Sequence, residues 1–242
     1  MNSLPSLPSL RSLPSVPSVP SVPSAPVEPT VFVIEDDPVF RDALVLTLES
    51  AALPVRCFPD ALEFLGAYEG SMAGCLVTDV RMRNMSGLEL QRRLSDEEML
   101  IPMVFISGHG DVSVSATAFK GGAVDFLQKP FGAAPFLKAV REALARDLHQ
   151  RRLAEERGLV LARYERLGER ETRVMSMVIA DYSTKEIARA LNISPRTVDH
   201  HREHVMAKME ARSLPDLIVM GLLCGAQELS LSALRSPKRG PQ

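Results

Sequence analysis

Asp79, Ser107 and Lys129 each close a short apolar run, and a fourth such run ends in Glu35-Asp36-Asp37. Three carboxylates gathered in a partly desolvated pocket repel one another, which raises at least one pKa unless a cation compensates. Hard oxygen donors of this kind, one or two carboxylates completed by water, suit Mg²⁺, which usually shares its shell with a phosphate. A lysine and a hydroxyl facing the same spot would hold the remaining oxygens of a phosphoryl group. The chemistry these residue types allow is a carboxylate accepting phosphate. Singly, each has a plainer use: Asp37 before Pro38 as a helix N-cap, Ser107 as a turn former, Lys129 as a solvated charge. Their joint placement at four strand ends is what points to a site.

The apolar runs at 31–34, 55–58, 75–78, 103–106 and 125–128 read as strands, and 38–50, 61–68, 88–95 and 112–120 between them have helical spacing near 3.6, with a last helix from about 134. Strands this apolar are buried on both faces, which makes a parallel sheet with helices on each side. In such doubly wound α/β folds the chemistry collects beyond the carboxyl ends of the strands. The last helix continues through the charged stretch 149–157, a solvated connecting helix or a contributor to dimerisation.

Beyond residue 166 the pattern is all helical, with segments at 169–180, 184–191, 195–209 and 214–223. Ser183 and Glu186 form a capping box, and Ser194-Pro195 starts the next helix with N-cap serine and proline at the first helical position. Ile187, Leu191, Ile193, Val198, Val205 and Met209 supply a small core. Two helices joined by Asn192-Ile193-Ser194 make a helix-turn-helix arrangement, fit for DNA or for protein docking. The count of charges, nine basic and nine acidic over 166–228, favours docking, because DNA-binding modules are normally basic. The placement of Lys185, Arg189, Arg196, Arg202 and Lys208 along the second and third helices favours DNA.

Of the 242 residues, 1–29 form a Pro/Ser-rich arm whose Ser-x-Pro triplets match polyproline II and cannot build a core. The arm lacks the features of a secretory signal. Residues 30–148 form the first domain, with 11 basic and 17 acidic groups over 31–150; 149–165 form a helical linker, 166–228 the second domain, and 229–242 a disordered basic tail. No apolar run approaches the roughly 18 residues of a membrane span. Cys57, Cys75 and Cys224 are scattered without ligand spacing, so a reducing cytoplasm is the expected compartment.

The motifs Ile34-Glu35-Asp36-Asp37, Thr78-Asp79-Val80-Arg81-Met82, Asn84-Met85-Ser86-Gly87, Ile106-Ser107-Gly108-His109-Gly110-Asp111 and Gly122 to Phe131 resemble the receiver domain of two-component response regulators. By that resemblance Asp79 accepts the phosphoryl group from a sensor histidine kinase. Asp36 and Asp79 hold Mg²⁺ with the backbone carbonyl of Arg81, and Glu35 completes the acidic pair. Ser107 and Lys129 contact phosphoryl oxygens, and Phe126 changes rotamer with Ser107. Arg83 departs from the family, which commonly has proline four residues after the phosphoacceptor.

Leu167 to Glu171, Ser183 to Ala188, Leu191 to Arg202, Val205 to Met209 and Ser213-Leu214-Pro215 resemble the LuxR-type helix-turn-helix, in the manner of the FixJ branch of the NarL/FixJ regulators. The resemblance implies a third helix in the major groove. Arg196, Asp199, His200 and Glu203 share its outer face, opposite Val198 and Val205. Asp199, His200 and Glu203 are expected near base edges, Thr197 beside the DNA, and Lys185, Arg196, Arg202 and Lys208 on phosphates. Gly168 stands where the family usually has Ser or Thr as a helix cap. The expectation is a (βα)5 receiver followed by a four-helix DNA-binding domain. Such a regulator is not an enzyme; it dimerises on phosphorylation, binds double-stranded DNA and activates transcription with RNA polymerase. A phosphatase with Asp79 as nucleophile would want a second Asp two residues on, where Arg81 stands. A regulator acting through protein contacts alone is the other alternative.

Overall fold

The computed structural model describes residues 28–108 and 112–225. Residues 1–27, on which the expected Pro/Ser-rich arm falls, His109-Gly110-Asp111, and residues 226–242 with the expected basic tail lie outside the described residues. Two compact units divide between Arg152 and Leu153.

The first unit alternates strands and helices: β1 (Thr30–Ile34), α1 (Pro38–Ser50), β2 (Val55–Phe58), α2 (Ala61–Ala67), β3 (Gly74–Asp79), α3 (Gly87–Asp96), β4 (Met103–Ser107), α4 (Val112–Lys120), β5 (Asp125–Gln128) and the start of α5 (Ala133–Glu165). The five strands pair in parallel in the order β2-β1-β3-β4-β5, so the order reverses at β1 and a crevice opens beyond the carboxyl ends of β1 and β3. Register sets Ile34 beside Thr78, Asp79 beside Ile106 and Ser107 beside Gln128. Every residue of β3 and β4 is buried, as a sheet covered on both faces requires. Alternation sends Phe32, Leu76 and Phe105 into one core with Phe64 and Leu90, and Val31, Val33, Val77 and Ile106 into the other with Leu48 and Phe136. The fold expected from the apolar runs is the fold observed. β3 and β4 each extend one residue further, to Asp79 and Ser107, so both site residues belong to the ladder. Helix α2 stops at Ala67 because Tyr68 turns extended and stacks its ring on Phe64 at 5.0 Å.

Helix starts follow local chemistry. Asp37 accepts from the amides of Val39 and Phe40 ahead of α1, Asp60 caps α2, and Ser86 with Glu89 forms a capping box on α3. Near the opposite end of the sheet, buried Asp147 of α5 accepts from the Gly74 amide at 2.9 Å and from Arg151 through both oxygens. Arg151 also donates to the carbonyls of Ser71 and Met72. This clamp fastens α5 to the chain entering β3.

The second unit contains the end of α5, then α6 (Glu169–Ile179), α7 (Thr184–Leu191), α8 (Pro195–Met209) and α9 (Leu214–Leu223). Val160, Val174, Met175, Ile187, Val198, Val205, Met209 and Leu217 form its core. Ser183 and Glu186 make the expected capping box, and Ser194 caps α8 with Pro195 in its first turn. Asn192 takes the left-handed conformation between them (φ 54°), which turns the chain in three residues. No helix among the described residues is long and apolar enough to cross a membrane.

Candidate functional site

Beyond the carboxyl ends of the strands the structure gathers Glu35, Asp36, Asp79, Ser107 and Lys129. The Lys129 ammonium lies 2.6 Å from Asp79 Oδ2 and 2.8 Å from Glu35 Oε2, so one cation bridges two carboxylates. Glu35 is 1% exposed, and its other oxygen accepts from the Asp37 amide at 3.3 Å. Burial pushes the Glu35 carboxyl above its ordinary pKa, against the hydrogen bond and charge of Lys129. Burial also opposes the charge on Lys129, yet the hydrogen bonds and charges of Asp79 and Glu35 outweigh it and hold the lysine above its usual value. At neutral pH Lys129 therefore stays charged.

Backbone geometry fixes these groups. Val80 donates to the Ile106 carbonyl at 2.9 Å and Lys129 donates to the Ser107 carbonyl at 2.7 Å, which ties three strand ends together. Asp79 Oδ1 accepts from the Arg81 amide at 2.8 Å. The Gly87 amide donates to the Val80 carbonyl, and a Cβ on Gly87 would sit 2.5 Å from the Asp79 carbonyl oxygen. Only glycine lets the first turn of α3 come this close to the strand end. The Lys129–Pro130 peptide bond is cis.

Several contributors had no signal in the sequence. The Phe40 ring lies under Lys129, 4.0 Å from the ammonium to the ring centroid, and Arg41 donates to the Glu35 carbonyl at 2.9 Å. Exposed Arg83 comes within 3.7 Å of Asp36, a contact that solvent weakens. Ser107 is buried at the end of β4, and half-buried Phe126 pairs in register with Phe105 against the first core.

Asp36, Asp79 and the main chain at Arg81 supply hard oxygen donors of the type Mg²⁺ takes. Among the described residues no three His, Cys, Asp or Glu side chains form a ready cage, and Mg²⁺ requires none, because it keeps most of its water. Glu35, grouped by sequence with the metal ligands, has both oxygens engaged by protein donors. The structure gives it first the part of buried counter-charge to Lys129.

On the second unit α8 exposes Arg196, Asp199, His200 and Glu203 along one face, and α7 exposes Lys185. Thr197 is half-buried, its hydroxyl 2.7 Å from that of Ser194. Thr184 donates to Asp199 at 3.4 Å and accepts from half-buried Arg202 at 3.3 Å. Lys208 differs from expectation: its ammonium lies 2.6 Å from the buried carboxylate of Glu171, so it is spent within the unit and not held out for a phosphate. Burial resists the charge on Glu171, but the hydrogen bond and charge of Lys208, the Gly168 amide and His204 hold its pKa below the ordinary range. That same Gly168 amide donates to Glu171 at 2.7 Å, which supplies half of the cap that Gly168 lacks as a side chain.

Comparison with known proteins agrees with both halves. Residues 31–141 match the family described as response regulator receiver domain, and residues 165–221 match the bacterial regulatory proteins of the luxR family. The transcriptional regulatory protein FixJ of Azorhizobium caulinodans is 43% identical over 195 residues, covering 81% of this chain and 92% of that protein. The response regulator protein TodT of Pseudomonas putida is 41% identical over 188 residues, 78% and 83% of the two chains. The structure of the response regulator StyR superposes with a TM-score of 0.70 at 38% identity, over 80% of this chain and 98% of that one.

Proposed function

The chain belongs to the two-component response regulators that join a receiver domain to a LuxR-type DNA-binding domain, and from that premise we propose that phosphorylation of Asp79 controls DNA binding by α7 and α8. The observation that carries this is the lysinium bridge: a cation 2.6 Å from Asp79 marks where phosphoryl oxygens can be neutralised. An Asp79 oxygen attacks phosphorus, the nitrogen–phosphorus bond of a kinase phosphohistidine breaks, and an acyl phosphate forms. Mg²⁺, when bound through Asp36, Asp79 and the Arg81 carbonyl, would supply charge neutralisation for the transferring group. Lys129 follows the new oxygens, which carry about −1.5 to −2 charge. Ser107 donates its hydroxyl to them, and Phe126 moves into the space behind Ser107.

The shifted surface then favours a homodimer and frees the DNA-binding helices, so that two copies read a roughly palindromic site. Arg196 and Lys185 hold phosphates, with Thr197 beside them, while Asp199, His200 and Glu203 face base edges. The output is transcriptional activation through RNA polymerase, in the cytoplasm, with no enzymatic turnover.

The test is Mg²⁺-dependent phosphorylation by acetyl phosphate, read on a phosphate-affinity gel and by DNA binding in the same samples. Wild type is expected to be labelled and to bind DNA more tightly, and Asp79→Asn to do neither. Equal DNA binding with Asp79 labelled, unlabelled or removed would sink the proposal.

A further inference from the structure

Helix α8 carries three of the chain's five histidines, His200, His201 and His204. His200 and His204 stand four residues apart, so they lie one turn above the other on the same face. Both are exposed, and their ring centroids are 4.1 Å apart with the planes tilted by 54°. That is closer than the roughly 4.5–7 Å at which aromatic rings ordinarily pair. His201 is half-buried, turned about 100° around the helix, and its ring centroid is 6.3 Å from that of His200.

The group behind His204 selects the nitrogen it offers to solvent. Its Nδ1 is 3.5 Å from Oε1 of Glu171, a carboxylate buried on α6 that holds Lys208 at 2.6 Å through its other oxygen. A carboxylate beside Nδ1 favours the tautomer with the proton there and leaves the Nε2 lone pair free, which is how metal-binding histidines are oriented and made more basic. Asp199 and Glu203, each exposed and one residue ahead of a histidine, add negative charge beside the pair. Arg196 and Lys208 continue the same row of α8, but Lys208 is turned onto Glu171. All of these groups belong to the second unit.

We infer that His200 and His204 form a site for a divalent transition-metal ion of the kind imidazole suits, Zn²⁺, Ni²⁺ or Cu²⁺. Each histidine gives one nitrogen, at about 2.0–2.1 Å in the case of Zn²⁺, and Glu171 backs His204 from the far side. Among the described residues no group of three His, Cys, Asp or Glu side chains could hold an ion, so water completes the shell and the ion exchanges readily. The chemistry differs from that of the oxygen donors around Asp79, which suit Mg²⁺. Metal binding here does not depend on what α8 does. Its consequence does: if α8 meets DNA as proposed, His200 faces base edges, and an ion held on it keeps the helix out of the groove.

The test is isothermal titration calorimetry of the full chain with Ni²⁺, in the presence of saturating Mg²⁺ to occupy the oxygen donors. Wild type is expected to bind a Ni²⁺ ion that His200→Gln and His204→Gln each lose. Removing an outer partner of a ligand costs about 10–100-fold in affinity, and removing the ligand itself costs at least as much. His201→Gln should stay within a few-fold of wild type, and Ni²⁺ held elsewhere, on cysteine for example, is common to all four proteins. Circular dichroism with thermal unfolding checks that the variants are folded. No Ni²⁺ bound by wild type, undiminished binding by His200→Gln or His204→Gln, or an equal loss in His201→Gln would overturn the proposal. In a second arm Ni²⁺ should weaken duplex DNA binding several-fold for wild type but not for His204→Gln. A wild type that binds Ni²⁺ in the calorimeter and binds DNA equally with and without it would overturn the exclusion from DNA, and failure to bind DNA even without Ni²⁺ would count against the reading of α8 itself.

Discussion

Lys129→Met removes the cation from the acidic site while keeping an unbranched stem over the Phe40 ring. In wild type the ammonium satisfies Asp79 at 2.6 Å and Glu35 at 2.8 Å, and the Glu35 side chain is 1% exposed. Truncating one partner of a fully buried ion pair costs about 3–5 kcal/mol, because the other charge is left uncompensated. Lys129 keeps part of its side chain in solvent, so a loss of about 2–3 kcal/mol is expected at about pH 7.5. The pH dependence follows from Glu35. Its folded pKa already lies above the unfolded value through burial, and loss of Lys129 drives it higher. A carboxyl whose folded pKa is raised costs nothing while both states are protonated, and the penalty grows as pH climbs from the unfolded toward the folded value. The deficit of the variant should therefore be small near pH 4.5, grow with pH, and reach its full size above the folded pKa of Glu35. Urea unfolding followed by circular dichroism across this range measures it, and adding Glu35→Gln to the variant should recover part of the loss. A deficit of equal size at acid and neutral pH, or none at all, would show that Lys129 is not the compensating charge.

Gly87→Ala should cost about 1–3 kcal/mol and slow phosphorylation several-fold, because its Cβ meets the Asp79 carbonyl at 2.5 Å; thermal unfolding and acetyl-phosphate labelling check both parts. Asp147→Asn strips Arg151 of its carboxylate and should destabilise the first unit by roughly 1.5–3 kcal/mol in urea titrations, leaving the second unit unaffected. Gly168→Ser should stabilise the second unit by a few tenths of a kcal/mol, since the position has φ −73° and ψ 161° and the new Cβ meets Glu171 at an ordinary 3.5 Å; a lower melting temperature would refute this.

The catalytic-type residues were legible because chemistry and strand position coincide in the sequence. Asp79, Ser107 and Lys129 each end an apolar run, and a parallel sheet brings such ends together whatever the details of packing. Phe40 and Arg41 were not legible, since each reaches the site from the first turn of α1 by a rotamer that no spacing encodes. Glu35 was read for its charge, and only the structure shows that both its oxygens are already taken. Lys208 shows the same limit: helical periodicity places it on α8, but only the structure shows its ammonium on Glu171, 37 positions earlier and buried on α6.

The Lys208–Glu171 pair bears on the charge argument as well. Nine basic and nine acidic groups make residues 166–228 neutral, which speaks against nucleic acid only if all of them face solvent alike. They do not. Glu171 is held by Lys208, Glu169 by Arg173 and Glu210 by Arg163, while Glu186 and Asp216 are engaged in helix caps. Lys185, Arg189 and Arg196 remain exposed at α7 and the start of α8, on the elements proposed to meet DNA. The two proposed phosphate contacts per copy, Lys185 and Arg196, correspond to a slope of about −1.8 in log affinity against log salt, near −0.9 for each contact. Arg196→Ala should make that slope shallower by about 1, whereas Lys208→Ala should leave it unchanged and instead lower the stability of the second unit. A Lys208→Ala slope that moves as far as that of Arg196→Ala would mean that Glu171 releases its lysine to the DNA backbone and that the ion pair belongs to the unbound protein alone.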